Sequence, residues 1–220
     1  MLPFLIIKKL LRDLNHCALF WPPLLVFRLL IGFDYNLNFK GVIAMKLDFQ
    51  PIINHPDLVH DSMYKFMEKH HLIDQFKVAR IDPKYANDPR LDDVYEVDPY
   101  LRLKCIVFMG VRRKVDKYAA VVVQNPYKVD SGSLLHHAMD VSKVSFGNLD
   151  DVIKQTDMEF GSITPVGVPE FYQILIDSRV KKIPDVILGS GQVNSKLMTT
   201  LQALESLPNA RYVDGLAKED

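Results

Sequence analysis

The spacing of apolar and polar positions along the chain predicts a helix and a strand within residues 55–81. Over residues 55–72, apolar side chains recur at helical spacing, with acidic residues early and basic residues late, as the helix dipole favours. Residues 76–81, FKVARI, are predicted to form a short strand that ends at Asp82-Pro83. The following stretch, 84–99, is rich in Asp, Pro and Asn and is expected to form an irregular loop.

A second group of elements is predicted from residue 103 onward. Two apolar runs joined by a basic turn at 112–117 indicate a hairpin, with strands over 103–111 and 118–124. Further predicted elements are helices over 130–139, 149–155 and 199–207 and strands over 173–177, 185–188 and 211–213. Because strands follow one another both through a hairpin and through helices, we expect a mixed α/β (α+β) domain with much antiparallel pairing.

The first 44 residues are far more apolar than the rest of the chain. Their uncharged stretch 15–27 is too short to span a bilayer, and Pro22-Pro23 interrupts any helix there. Three interpretations stay open: an upstream extension with the natural start at Met45, a membrane or surface anchor that buries Arg28, or a helix docked on the domain. We therefore divide the chain into an N-terminal extension, residues 1–44, and one domain, residues 45–220.

Composition narrows the possible functions. The 27 basic and 27 acidic residues balance, which argues against a protein that coats nucleic acid through a global positive field. A nucleic-acid partner would have to be bound by a local patch, and the basic turn 112–117 is either such a patch or an ordinary solvated turn. The two cysteines offer neither a disulfide framework nor a zinc-binding spacing, and the histidines form no metal motif. We expect a cytoplasmic protein without metal or cofactor.

Candidate chemistry begins with a concentration of glycine and proline in residues 161–169, GSITPVGVP. Such a run lets the main chain approach a ligand closely and present its own amides and carbonyls, although an ordinary connecting loop is the alternative. Lys104 starts an otherwise apolar strand, where a lysine must extend to solvent or take part in chemistry. A second glycine pair, Gly189-Ser190-Gly191, directly follows a predicted strand.

The order of these features resembles the YbaK and prolyl-tRNA synthetase-associated editing family. The shared order is a lysine at a strand start, a hairpin, a helix near Asp130, a GxxxP loop, a strand ending in Asp177, and Gly-x-Gly. The resemblance covers residues 76–216 and is densest in MEFGSITPVGVPEFYQILID (158–177) and VILGSGQVNSKL (186–197). It implies a largely antiparallel or mixed, barrel-like sheet core with packed helices.

The resemblance also implies an activity. Members of this family hydrolyse, in trans, the ester that joins a mischarged amino acid to the terminal adenosine of tRNA, typically tRNA for proline. The implied partners are therefore the 3′ aminoacyl-adenosine end of mischarged tRNA and a prolyl-tRNA synthetase, whereas no membrane is expected.

Roles for single residues follow from the same resemblance. It implies that Lys104 contacts the substrate near the scissile ester and that Gly161 positions the terminal ribose through its backbone, which makes these two the predicted catalytic residues. A positioned water, or the substrate's own side chain, can attack an activated ester once the ribose is held and the oxyanion is stabilised. The predicted substrate-binding residues are Cys105, Ser162, Thr164, Pro165, Gly189, Ser190 and Gly191.

The chain departs from the cysteinyl-tRNA deacylase pattern at positions that shape the amino-acid pocket in the relatives. Those relatives have a serine at the position of Gly189, a threonine at that of Cys105, and an aspartate near Ser195-Lys196. The amino acid removed therefore stays open, from alanine or serine to a larger residue.

Other interpretations also stay open. Lys104 could be an edge-strand charge that prevents aggregation, and Cys105 a small core residue on the opposite face of that strand. For the whole chain, the alternative to an enzyme is a non-catalytic module that binds an aminoacyl or nucleotide end and is tethered to a membrane through residues 1–33.

Overall fold

A computed structural model describes residues 45–219. The interpretations of residues 1–44 lie outside the described residues. The helices are α1 (Asp61–Lys69), α2 (Leu91–Val94), α3 (Ser133–Met139), α4 (Leu149–Thr156) and α5 (Leu201–Glu205). The strands are β1 (Gln50–Pro51), β2 (Phe76–Arg80), β3 (Leu103–Arg112), β4 (Val115–Gln124), β5 (Lys128–Val129), β6 (Lys143–Phe146), β7 (Tyr172–Asp177), β8 (Asp185–Gly189), β9 (Ser195–Thr200), β10 (Ala210–Val213) and β11 (Ala217–Lys218).

Two main sheets and one short strand pair make up the described β-structure. The four-stranded sheet has the order β1-β2-β9-β8 and is antiparallel throughout. The five-stranded sheet has the order β10-β7-β4-β3-β6, in which β7 runs parallel to both of its neighbours and the other pairs are antiparallel. Strands β5 and β11 pair separately. This mixed α+β architecture confirms the predicted fold class.

The core lies on both faces of the five-stranded sheet. Along β4, Ala120 and Val122 pack into the larger core between the two sheets, while Val121 and Val123 pack against Leu135 on the α3 side. A strand buried on both faces needs apolar residues at consecutive positions. This explains why β4 appears in the sequence as a continuous apolar run.

The beginning of β3 joins the two sheets and leaves part of one strand edge open. A bridge between Arg102 and Ile187, with the Ile187 amide donating to the Leu101 carbonyl at 2.8 Å, connects β3 to β8. On its outer edge, β3 pairs with β6 only over the four positions from Phe108 to Val111. The outer edge of residues 103–107 is therefore not covered by β6.

Several element boundaries differ from the sequence prediction. The hairpin is tighter than predicted, because β3 and β4 extend until only Arg113 and Lys114 form the turn. Both have positive φ, 51° and 65°, as the two central residues of a type I′ turn require. The predicted helix at 199–207 begins only at Leu201, because the preceding six residues form β9, a strand that the sequence pattern did not reveal. The first helix is likewise shorter than predicted, Asp61–Lys69.

Candidate active site

A cleft of about 570 Å³ opens at the uncovered edge of β3. Its walls come from segments 86–89 and 102–107, from residues around α4, from the GxxxP loop and from the ends of β8 and β9. Four of the predicted site residues, Lys104, Cys105, Gly161 and Gly189, line this one cleft. The structure thus brings together residues that lie far apart in the sequence.

The other five predicted site residues do not line the cleft. Ser162, Thr164, Pro165, Ser190 and Gly191 are buried behind it. The GxxxP loop contributes Gly161 and Ile163 to the cleft lining, and the preceding residue Phe160 also lines it. A direct contact of the five buried side chains with a ligand would require the loops to move.

The buried serines instead fasten the GxxxP loop to the Gly-x-Gly turn. The Ser190 amide donates to the Ser162 hydroxyl at 3.1 Å, and the Gly191 amide donates to the Ser162 carbonyl at 3.0 Å. The Ser195 hydroxyl in turn donates to the Ser190 hydroxyl at 2.7 Å. These bonds fix the backbone around Gly161 and Gly189, so the serines act on the cleft through the main chain.

Gly161 and Gly189 stand where a side chain has no room. Gly161 has a φ of 93°, and a Cβ there would overlap the side-chain amide of Asn87 on the opposite wall. A Cβ at Gly189 would overlap the backbone carbonyl of Ser162. Neither position therefore accommodates a side chain without a shift of its neighbours, and the approach of a ligand to these backbones stays a prediction.

Lys104 and Cys105 both reach the cleft because the strand presents its edge to it. The Val107 carbonyl accepts a bond from the Gly147 amide on the β6 side, so the amide and carbonyl of Cys105, two residues earlier, point to the same edge. The Cys105 side chain packs on the larger core. The Lys104 ammonium donates to the Asn125 carbonyl at 2.9 Å in the cleft wall.

Cys105 is chemically quiet in this setting. Burial raises the pKa of its thiol to about 12, so the thiol is protonated at neutral pH. Nucleophilic attack requires the thiolate. The arrangement therefore argues against Cys105 as a nucleophile and agrees with its interpretation as a small packing residue.

We expect native Cys105 to resist alkylation. At pH 8, the fraction of thiolate in a thiol with a pKa of about 12 is on the order of 10³-fold smaller than in an ordinary cysteine. Iodoacetamide should leave the peptide that contains Cys105 unmodified in the native protein and modify it after unfolding in denaturant, as mass spectrometry would detect. Rapid labelling of the native protein would contradict this description of the site.

A polar cluster beside Lys104 escaped the sequence prediction. The Arg102 guanidinium pairs with the Asp92 carboxylate at 2.7 Å, and both side chains are largely buried. The Asn125 side-chain amide donates to Asp92 at 3.3 Å, and the Asn125 backbone amide donates to the Arg102 carbonyl at 2.7 Å. Asp92 lies in the stretch predicted as a loop, which in fact contains α2, so nothing in the sequence pattern associated it with Lys104.

Lys196 is the second lysine of the cleft and was not among the predicted substrate-binding residues, although the resemblance places Ser195-Lys196 near the amino-acid pocket. It belongs to β9, lines the cleft, and has a relative exposure of 5%. Burial lowers the pKa of its ammonium to about 8, and the nearby positive charge of Arg102 acts in the same direction. The sequence pattern did not predict β9, so it did not show that the Lys196 side chain is buried in the cleft wall.

The cleft combines cationic side chains with backbone donors and acceptors. Such a site can stabilise negative charge on oxygen and hold a ribose or carbonyl group without a protein nucleophile. Within residues 45–219, no group of three or more His, Cys, Asp or Glu side chains is placed to bind a metal ion.

None of the helices within residues 45–219 is long and apolar enough to cross a bilayer.

Comparison with known protein families identifies the class to which this fold and site belong. The sequence profile of the aminoacyl-tRNA editing domain matches residues 90–207, more than half of the 220 residues. The chain therefore belongs to the aminoacyl-tRNA editing domain family, which confirms the family predicted from Lys104, the GxxxP loop and Gly-x-Gly. No curated protein matches the chain.

Solved structures agree on the fold. A structure described as a candidate trans-editing enzyme for prolyl-tRNA synthetase has a TM-score of 0.61 at 18% identity, covering 74% of this chain and 99% of that one. A hypothetical protein matches with a TM-score of 0.62 at 13% identity, covering 72% of this chain and 100% of its own. At these identities the likeness concerns the fold alone.

Proposed function

We propose that the protein is an aminoacyl-tRNA deacylase, which hydrolyses in trans the ester of mischarged tRNA. The observation that carries this proposal is the convergence of Lys104, Gly161 and the open edge of β3 on one cleft of an editing domain. tRNA for proline is the first substrate to consider, and a prolyl-tRNA synthetase the first partner, because one similar structure is described in those terms. We place the activity in the cytoplasm, where such a substrate is made.

The chemistry of an aminoacyl ester suits a cleft of this kind. Attack on the ester carbonyl creates negative charge on oxygen, which the Lys104 ammonium and backbone amides would stabilise. Ribose positioning would fall to the backbone at Gly161, which the buried serines hold in place. Because the Cys105 thiol is protonated, the nucleophile would be a bound water or a group on the substrate itself.

A panel of mischarged tRNAs tests this function. The purified protein should release alanine, cysteine or serine from tRNA for proline faster than the ester hydrolyses spontaneously. It should release proline from correctly charged prolyl-tRNA more slowly than it releases these amino acids. Release is measured as the loss of aminoacylated tRNA with time, with the amino acid radiolabelled. If the protein binds charged tRNA but releases none of a broad panel of amino acids, it is a binding module and the enzymatic proposal is wrong.

A further inference from the structure

Lys196 is an almost fully buried residue of the cleft wall, and few hydrogen-bond acceptors surround its ammonium. The ammonium has one hydrogen-bond acceptor among the described residues, the Ala86 carbonyl at 3.4 Å. A lysine ammonium has three donors, and protein hydrogen bonds to oxygen are normally 2.7–3.2 Å long. At 5% exposure, Lys196 also has little access to water. Its donors are therefore available to a ligand in the cleft.

The carboxylates near Lys196 are bound by other cations. Asp92 is paired with Arg102 at 2.7 Å, and Asp88, which lines the cleft, is paired with Arg90 at 2.6 Å. No ion pair joins Lys196 to a carboxylate within residues 45–219. A buried charge without a partner is costly unless an opposite charge arrives from outside.

The substrate can supply that opposite charge at its aminoacyl end. The amino acid is the outermost group of a charged tRNA, so it reaches deepest when the tRNA approaches from the mouth of the cleft. Terminal phosphates stay nearer the mouth, since they must continue into the tRNA body. The group that meets a recessed lysine is therefore the side chain of the amino acid.

We propose that Lys196 selects acidic aminoacyl groups by pairing with the side-chain carboxylate of an aspartyl or glutamyl ester. This inference rests on the proposed deacylase function and specifies the substrate class of the same cleft. The positive charge of Lys196, together with the neighbouring Lys104 and Arg102, disfavours lysyl and arginyl groups. Asparaginyl and alanyl groups fit the same space but gain no ion pair.

The experiment compares one tRNA charged chemically with aspartate, asparagine or alanine. Wild type is expected to show kcat/KM about tenfold higher for the aspartyl than for the asparaginyl ester, since hydrogen bonds to charged groups are the stronger kind. Lys196→Met keeps the aliphatic length and removes the charge, so it should bring this ratio to about one. Lys196→Met should therefore lower kcat/KM more for the aspartyl ester than for the asparaginyl or alanyl ester, because only the aspartyl side chain carries a charge that pairs with the ammonium.

Each alternative result has a distinct meaning. Release of all three amino acids by wild type without a preference for aspartate overturns the selectivity and leaves the deacylase function standing. An equal loss for all three esters in Lys196→Met also overturns it, because Lys196 would then act on a part that the substrates share, such as a terminal phosphate. If wild type releases none of the three, nor any amino acid of the broader panel, the deacylase function itself fails and this inference with it.

A measurement on wild type alone avoids any dependence on how the variant folds. The pKa of Lys196 is about 8, so the ammonium loses its proton as pH rises from 7 to 9, and kcat/KM reports the free enzyme. The aspartate preference should therefore fall through this range, after subtraction of spontaneous hydrolysis. The charged groups beside Lys196, Arg102 and Asp92, are paired with each other at 2.7 Å. A preference that is constant up to pH 9 would contradict the role of Lys196.

The stability of Lys196→Met gives a final control. The folded-state pKa of Lys196 lies below its value of 10.5 in a model peptide, so the unfolded chain binds the extra proton more tightly between pH 8 and 10.5. The lysine therefore destabilises the fold most at pH 8 and below. Thermal unfolding of Lys196→Met at pH 7 should occur at or above the wild-type temperature, so lost selectivity cannot be attributed to lost structure.

Discussion

Replacement of Lys104 by alanine should lower kcat/KM for release of mischarged amino acid by about 10²-fold, the loss typical of one oxyanion-stabilising donor. The ammonium is held at the cleft wall by the Asn125 carbonyl, 2.9 Å away. An alanine leaves the backbone edge of β3 in place but removes the positive charge that we propose to lie beside the ester. The protein should remain folded, because Lys104 is only partly buried and its neighbours in β3 carry the packing.

Two variants separate this effect from a general loss of charge. Lys69→Ala removes an exposed lysine that pairs with Glu170 on the surface and does not line the cleft, so activity should be unchanged. Lys104→Arg keeps a cation and should retain more activity than Lys104→Ala. If Lys104→Ala releases amino acid at more than about a third of the wild-type rate, Lys104 is an edge-strand charge rather than a catalytic group.

Gly161→Ala should impair activity and stability together. The φ of 93° is strained for alanine, which costs about 1–3 kcal/mol, and the new Cβ overlaps the Asn87 side chain. If the Gly161 backbone positions the ribose as proposed, movement of the loop by even about 1 Å would lower kcat/KM by about 10²-fold. Steady-state deacylation and denaturant unfolding measure the two effects separately.

The chain offers a matched control glycine. Gly215 has a similar φ of 76°, but a Cβ there meets nothing within 4 Å. Gly215→Ala should therefore show a comparable loss of stability with normal deacylation. Adding Asn87→Ala to Gly161→Ala removes the overlap but not the backbone strain, so a partial recovery of activity is expected. Equal activity of Gly161→Ala and Gly215→Ala would contradict a role of the Gly161 backbone in positioning.

The sequence pattern predicted the fold best where periodicity was undisturbed. The apolar runs of β3 and β4 and the helix α4 were placed correctly because their burial follows simple spacing. Strand β9 was missed because two polar residues, Ser195 and Lys196, are buried in it, one as part of the serine cluster and one in the cleft. Buried polar residues that serve a site obscure the alternation on which strand prediction depends.

The site was predictable where the signal was local in the chain. Glycine density indicated the backbone loops around Gly161 and Gly189, and an isolated lysine in an apolar strand indicated Lys104. The identity of the lining side chains was not predictable, because Ser162 and Ser190 lie in these same loops yet point away from the cleft. Asn87 and Arg102 reach the cleft only through long-range packing of separate segments, which leaves no local trace in the sequence, and Lys196 was associated with the pocket only through the family resemblance.

The open edge of β3 has a consequence for how this protein tolerates sequence drift. Contacts made by the amide and carbonyl of Cys105 persist whichever side chain occupies that position, provided the strand stays in register. If the proposed hydrolysis depends on this edge, it is retained while Lys196 and its neighbours change. A scan of side-chain substitutions would not detect such a backbone role, whereas an amide-to-ester replacement in the main chain at Cys105, made by semisynthesis, removes its N–H donor directly.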